Sequence, residues 1–162
     1  MYKKALSETD IRTKFITPAL CGPEGAGWDM MTQIREEVFF TKGRVIVRGK
    51  TVRRGEARKA DYLLYYKTNL PIAVIEAKDG THSVGAGMQQ ALEYAEVLDV
   101  PFAYSTNGEA FLEHDRTVTN GTVTREIPLG EFPGPEELWQ PTSLLPRSLN
   151  SQPKLDPCPS TK

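Results

Sequence analysis

Asp61-Tyr-Leu-Leu-Tyr-Tyr66, the turn Lys67-Thr-Asn-Leu70 and the run Pro71-Ile-Ala-Val-Ile-Glu-Ala-Lys78 decide the fold. Both runs have strand length and are rich in aromatic and β-branched residues. The second stays apolar as far as Ile75, the pattern of a central strand covered on both faces. Glu76 and Lys78 stand two apart, so their side chains share one face. An acid and a lysine at the end of an apolar strand are costly to bury without a use. Asp79-Gly80 breaks the strand immediately, which sets the pair at its mouth. Asp61 opens the preceding strand, and the turn brings that strand alongside.

Working outward, Val45-Ile46-Val47 reads as a strand between Gly43 and Gly49. Ile34 to Thr41 is ambiguous, and Val38-Phe39-Phe40 tips its end toward strand. Ser7 followed by Asp10, with Ile11, Phe15 and Ile16 behind, marks a helix start, and that helix should end near Pro18 to Leu20. Cys21-Gly-Pro-Glu-Gly-Ala-Gly27 then reads as a loop, and Trp28 after it as a packing anchor. On the other side, Met88, Ala91, Leu92, Ala95 and Leu98 recur at helical spacing. Pro101 to Thr106 is a strand, Asn107-Gly108 a turn, and Ala110 to His114 the returning strand. Order beyond Ile127 is doubtful. The sum is an α/β fold, helix then three strands then helix then two strands, with a mixed central β-sheet flanked by helices.

Length and composition fit that plan. The chain of 162 residues suits one domain and can bury roughly two-thirds of its unfolded surface. Seven of the twelve prolines follow Gly130, and the end of the chain lacks periodicity. We therefore expect a domain over 1–139 and a flexible, Pro- and Ser-containing tail over 140–162. Cys21 and Cys158 are the only cysteines and show no metal-ligand spacing, which argues against a disulfide framework or a zinc site. Neither a leader sequence nor an apolar run of the ~18 residues that span a bilayer is visible, so the expectation is a cytoplasmic protein with no membrane partner. Net charge is only −1, but eight basic residues fall between Lys42 and Lys59 against one acid, Glu56. Such a stretch suits a phosphate backbone, and Arg53, Arg54, Arg58 and Lys59 are the candidate DNA contacts nearest Asp61. A solvated basic hairpin is the alternative.

Asp61 and Glu76 would converge on one divalent cation, with the Ala77 carbonyl as a third oxygen ligand; hard oxygens and open water positions suit Mg²⁺, with Mn²⁺ as substitute. Cleaving a phosphodiester needs an activated water and neutralisation of growing negative charge, and a bound Mg²⁺ supplies both. Lys78 would orient the water, help deprotonate it or stabilise the charge, and the sequence does not choose among these. Seen alone, an Asp, then fourteen residues, then a Glu-x-Lys also describe a structural ion pair.

The surroundings resemble a known family. Ser7-Glu-Thr-Asp-Ile-Arg12, Gly27-Trp-Asp29, Arg54-Gly-Glu-Ala-Arg-Lys-Ala-Asp-Tyr62, Ala73-Val-Ile-Glu-Ala-Lys-Asp79, Gly87-Met-Gln-Gln-Ala-Leu-Glu-Tyr-Ala95 and Ser105-Thr-Asn-Gly-Glu-Ala-Phe111 follow one another as in the N-terminal nuclease domain of type I restriction-enzyme restriction (R) subunits. The likeness runs over roughly residues 5 to 138. It implies a restriction-endonuclease-like PD-(D/E)-x-K core and Mg²⁺-dependent cleavage of double-stranded DNA, as in a type I site-specific deoxyribonuclease. It carries catalytic roles onto Asp61, Glu76 and Lys78, and onto Gln90 and Tyr94 as a Gln-x-x-x-Tyr element one helical turn long. It departs at Ala60, where the class name has Pro. Glu8 would add a carboxylate to the metal site, or it is simply an acid favoured in a first helical turn. The implied partners are a motor domain and the methyltransferase and specificity subunits of a restriction complex. The sequence has no Gly-x-x-x-x-Gly-Lys-Ser/Thr loop, hence no ATP site of that kind. The rival readings are a non-catalytic DNA-binding or assembly module with a nuclease fold, and a repair-type nuclease.

Overall fold

The computed structural model describes residues 3–41, 44–45 and 58–139. Arg53, Arg54, the Ile46-Val47 part of the expected strand, Cys158 and the expected tail lie outside the described residues. The described chain forms seven strands: β1 (Ile34–Thr41), β2 (Arg44–Val45), β3 (Arg58–Lys67), β4 (Leu70–Ala77), β5 (Phe102–Thr106), β6 (Ala110–Asp115) and β7 (Thr124–Pro128). They make one sheet in the order β2-β1-β3-β4-β5-β6-β7. Only the β4–β5 pair is parallel; the other five pairings are antiparallel. The sheet is therefore mixed, and β4, the apolar run, sits at its centre with five consecutive buried residues before Ala77.

A parallel pair needs a crossover, and α3 (Met88–Leu98) supplies it. Its buried Ala91, Tyr94 and Ala95 pack on Val38, Phe40, Leu63, Val74 and Ala103, which forms the core on one face of the sheet. The other face is covered by the N-terminal helical segment: α1 (Glu8–Ile11), a π turn (Arg12–Ile16) and α2 (Thr17–Cys21). Ile11, Ile16 and Leu20 from it join Tyr62, Leu64, Ile75, Tyr104 and Phe111. Ser7 caps α1 through a reciprocal exchange with Asp10, as the sequence suggests.

Three expectations need correction. Four strands rather than three precede the crossover helix, because all of Ile34–Thr41 is strand. Three follow it, because Thr124–Pro128 closes the sheet. And the chain from 128 to 139 is ordered: Phe132 and Leu138 are buried in the main core, the Trp28 indole donates to the Pro133 carbonyl (2.9 Å), and Trp139 stacks on Tyr66. This last segment carries little regular alternation, so its apolar residues announce no period.

One irregularity bears on function. Glu37 sits mid-strand at φ +50, a backbone conformation rare for a residue with a Cβ. Alternation along β1 resets there. Ile34 belongs to the N-terminal-helix core, whereas Val38 and Phe40, also even positions, belong to the α3 core. Its flanking pairs, Glu36 with Tyr62 and Val38 with Ala60, place Glu37 across from Asp61.

Candidate functional site

The hairpin β3–β4 turns at Thr68 and Asn69, with Asn69 at φ +61, and its register pairs Tyr62 with Ile75. Asp61 and Glu76 are the next residues outward on the two strands. Both are 4% exposed. Asp61 Oδ2 accepts the Ala77 N–H at 2.8 Å, which fixes the plane of the carboxylate. In extended backbone the N–H and C=O of one residue face the same neighbouring strand, so the Ala77 carbonyl looks toward Asp61 as well. The next amide, Lys78 N–H, instead donates to Thr106 on β5.

Glu76 Oε1 takes the Lys78 ammonium at 3.3 Å, and Glu76 Oε2 is buried without any hydrogen-bond partner. Burial first, then the charge of Asp61, push the Glu76 carboxyl up to about 7; Lys78 acts in the opposite sense and Glu8 adds to the rise. The Glu8 carboxyl is also raised, by desolvation and by Asp61. Glu8 thus lies within electrostatic reach of both strand acids. A buried acid with a raised pKa and one unpartnered oxygen at a strand mouth is an arrangement that functional sites favour.

Lys78 Nζ also donates to Gln90 Oε1 at 3.3 Å, and Gln90 Nε2 donates to the Tyr94 hydroxyl at 2.6 Å. The Gln-x-x-x-Tyr spacing on α3 therefore forms a chain that ends on the lysine. Tyr94 is simultaneously a core-edge aromatic, packed edge-on against Phe40 at 5.0 Å. The helix approaches closely because residue 87 is glycine: a Cβ there would meet Ser105 Oγ at 3.0 Å and Glu76 Cγ at 3.1 Å. Ser105 Oγ accepts the Gly87 N–H and donates to the Val84 carbonyl, which pins the loop leading into α3.

Asp61, Glu76, Ala77, Lys78, Gln90 and Tyr94 thus come together, with Glu8 at the edge. Glu76 Oε2, which has no partner, and Asp61 Oδ1, which has Arg12 Nη1 at 3.8 Å, are hard oxygen donors of the kind a divalent cation takes. Among the described residues there is no group of three or more His, Cys, Asp or Glu that could hold a metal ion. Of the basic candidates, Arg58 is paired with Glu93 at 2.8 Å and Lys59 with Glu37 at 3.3 Å, both on the surface. His82 folds back on Asp79 (2.9 Å) in the loop after β4.

Sequence reasoning missed Arg12 and Glu37. Arg12 is 9% exposed, with Nη1 3.3 Å from Glu37 and 3.8 Å from Asp61 Oδ1, and Nη2 3.5 Å from Glu36. Its guanidinium lies 5.1 Å from the Tyr62 ring centroid. The available signal was its position four residues after Glu8, one turn along the same helical face.

The model of the type I restriction enzyme R protein N terminus matches residues 44–121, which include both strands of the hairpin and α3. The type I restriction enzyme EcoAI endonuclease subunit of Escherichia coli is 50% identical over 136 residues, 83% of this chain. The chain belongs to the type I restriction enzyme R protein N-terminal family. A solved structure described as a fragment of an HsdR subunit of a type I restriction enzyme from Vibrio vulnificus is 45% identical, covers 82% of the chain and superposes with a TM-score of 0.66. That likeness carries the restriction-endonuclease-like fold. The chain spans 16% of the Escherichia coli relative and 24% of the Vibrio vulnificus chain, so it corresponds to a minor part of the R proteins it resembles. No helix among the described residues is long and apolar enough to cross a membrane.

Proposed function

We propose that this chain is the endonuclease part of a type I restriction enzyme R subunit, a site-specific deoxyribonuclease in the assembled enzyme, hydrolysing phosphodiester bonds of double-stranded DNA with Mg²⁺ or, in its place, Mn²⁺. The observation that carries the reading is the buried Asp61–Glu76 pair with Glu76 Oε2 unpartnered and Lys78 beside it. Asp61 Oδ1, Glu76 Oε2 and the Ala77 carbonyl would hold the cation. A cation there lowers the pKa of a bound water and offsets charge on the phosphoryl oxygens. Glu8, whose carboxyl is raised by burial and by the charge of Asp61, would add a further carboxylate to the site.

Lys78 is held between two acceptors, Glu76 Oε1 and Gln90 Oε1. Of the roles the sequence leaves open, this placement suits hydrogen-bond donation to the water or the developing oxyanion. Gln90 aims it, and Tyr94 aims Gln90. Arg53, Arg54, Arg58 and Lys59 contact the duplex backbone; for Arg58 and Lys59 this means exchanging Glu93 and Glu37 for phosphate, a small cost for exposed ion pairs. The nuclease unit is residues 1–139, with 140–162 as a tail. In the cytoplasm, a motor domain and the methyltransferase and specificity subunits supply translocation and target choice, so the chain alone nicks DNA slowly and without sequence preference at high Mg²⁺, or not at all.

The test is a pair of measurements on the parent, Asp61→Asn and Lys78→Ala. Mg²⁺ and Mn²⁺ should raise the Tm of the parent and of Lys78→Ala but not of Asp61→Asn. Only the parent should nick supercoiled plasmid at stoichiometric concentration. A parent whose Tm ignores both cations, with and without DNA, would leave the acid pair structural and the chain a DNA-binding or assembly module.

A further inference from the structure

We propose that Arg12 is a positioning residue of the cation site: it holds the charge of Asp61 in place before a cation arrives, and Glu37 is the acceptor that takes it over afterwards. The inference rests on the cation reading of Asp61 and Glu76. Its starting point is that one nitrogen, Arg12 Nη1, reaches two acids, Glu37 Oε1 at 3.3 Å and Asp61 Oδ1 at 3.8 Å. Asp61 Oδ2 is committed to the Ala77 N–H, so Oδ1 is the oxygen left both for Arg12 and for a cation. A divalent ion and a guanidinium on one carboxylate oxygen repel each other in a buried site. Arg12 must therefore yield Asp61 when the cation binds.

The structure provides the place it yields to. Glu37 lies across β3 from Asp61, and its left-handed backbone (φ +50) on an otherwise extended strand is a local strain that needs compensation. The Glu37 carboxyl is held below its ordinary range by Lys59 and then by Arg12, so it remains an anion available to both. Arg12 is itself incompletely held. Its Nε is buried with no hydrogen-bond partner, and its contact with Glu36 is long, at 3.5 Å. The guanidinium lies over the Tyr62 ring among three carboxylates. It keeps Asp61 neutralised and oriented without metal, and it lowers the affinity for the metal.

Mn²⁺ titration calorimetry on the full chain tests this with Arg12→Gln, Arg12→Lys, Glu37→Gln and the Arg12→Gln/Glu37→Gln double variant. Removing the competing charge in Arg12→Gln should tighten Mn²⁺ binding on the order of tenfold, while its Tm in EDTA falls. Arg12→Lys, which keeps the charge, should bind Mn²⁺ within about threefold of the parent. Glu37→Gln takes away the alternative acceptor and should weaken binding severalfold, and this weakening should shrink in the double variant because the two residues act as one unit. Equal or weaker binding by Arg12→Gln, with Asp61→Asn still abolishing it, overturns the proposal and leaves the cation reading intact: Arg12 then only ties the helix to the sheet. Absence of Mn²⁺ binding in both the parent and Arg12→Gln overturns the cation reading and this proposal together. If Arg12→Gln does not fold, Glu37→Gln decides, and binding as tight as the parent's refutes the idea.

Discussion

Glu76→Gln in the metal-free protein gives the most direct measure of how far the acid pair is strained. The Glu76 carboxyl titrates at about 7 in the fold against an ordinary 4.5. That difference is worth about 3 kcal/mol at about 1.36 kcal/mol per unit. The folded pKa is the higher one, so the penalty is absent below about pH 4.5, grows as pH rises and is complete above about pH 7. The acids whose pKa is lowered, Asp10, Glu37 and Asp79, contribute stability that is lost only on acidification below the ordinary carboxylate range, so they leave the interval from about pH 5 to 8 undisturbed. Gln at position 76 stands in for the neutral carboxyl, and the pull of Lys78 on the charge is already contained in the raised value. The gain at pH 8 in EDTA is about 3 kcal/mol, or roughly 6–12 °C in Tm for a domain of this size. At pH 5 most of the gain should be gone. Mg²⁺ at about one thousand times its Kd returns about 4.1 kcal/mol to the parent alone and inverts the order of the two proteins. Thermal melts monitored by circular dichroism at pH 5, 6, 7 and 8 read all of this. Parallel pH profiles for parent and variant would show that Glu76 carries no buried charge, and the argument for a strained acid pair would fail.

Two further outcomes follow from particular contacts. Gly87→Ala forces a Cβ against Ser105 Oγ and Glu76 Cγ, and should cost about 1–2 kcal/mol in urea denaturation while weakening Mn²⁺ affinity; unchanged affinity would mean that Glu76 is not the ligand. Replacing Arg53, Arg54 and Arg58 together with Ala should weaken duplex binding equally for unrelated sequences and lower the salt slope by about 1 per lost phosphate contact, read by fluorescence anisotropy from about 50 to 200 mM salt. An unaltered slope would make that stretch a solvated surface.

Much of the site was legible because it is built locally. Asp61, Glu76 and Lys78 ride on one hairpin with a short turn, and the spacing of two between Glu76 and Lys78 fixes a shared face by strand geometry alone. Gln90 and Tyr94 share a helical face for the same kind of reason. Arg12 and Glu37 escaped because their meaning depends on partners far along the chain: Arg12 acquires Asp61 only when α1 docks on the sheet, and nothing in Ile34–Thr41 announces a left-handed φ at Glu37. The basic stretch shows the complementary limit. Its charge can be counted in the sequence, but the pairing of Arg58 with Glu93 and of Lys59 with Glu37 comes from α3 and β1. Past Ile127, buried Phe132 and Leu138 stand too irregularly to reveal the core they complete.

The loop from Asp79 to Gly87 joins β4 to α3 and is tied to the sheet along its course. Asp61, Glu76 and Lys78 sit on or directly beside hydrogen-bonded strands, and Gln90 on a helix, so their mutual distances are inherited from the sheet and its crossover. The loop begins where β4 ends and ends where α3 starts; Ser105 holds it at Val84 and Asn107 holds it at His82. Only Ser83 lies between those two moorings, and a Cβ on Gly80 would run into the Lys3 carbonyl, so the loop has little room to change its course without disturbing the strand and helix it joins.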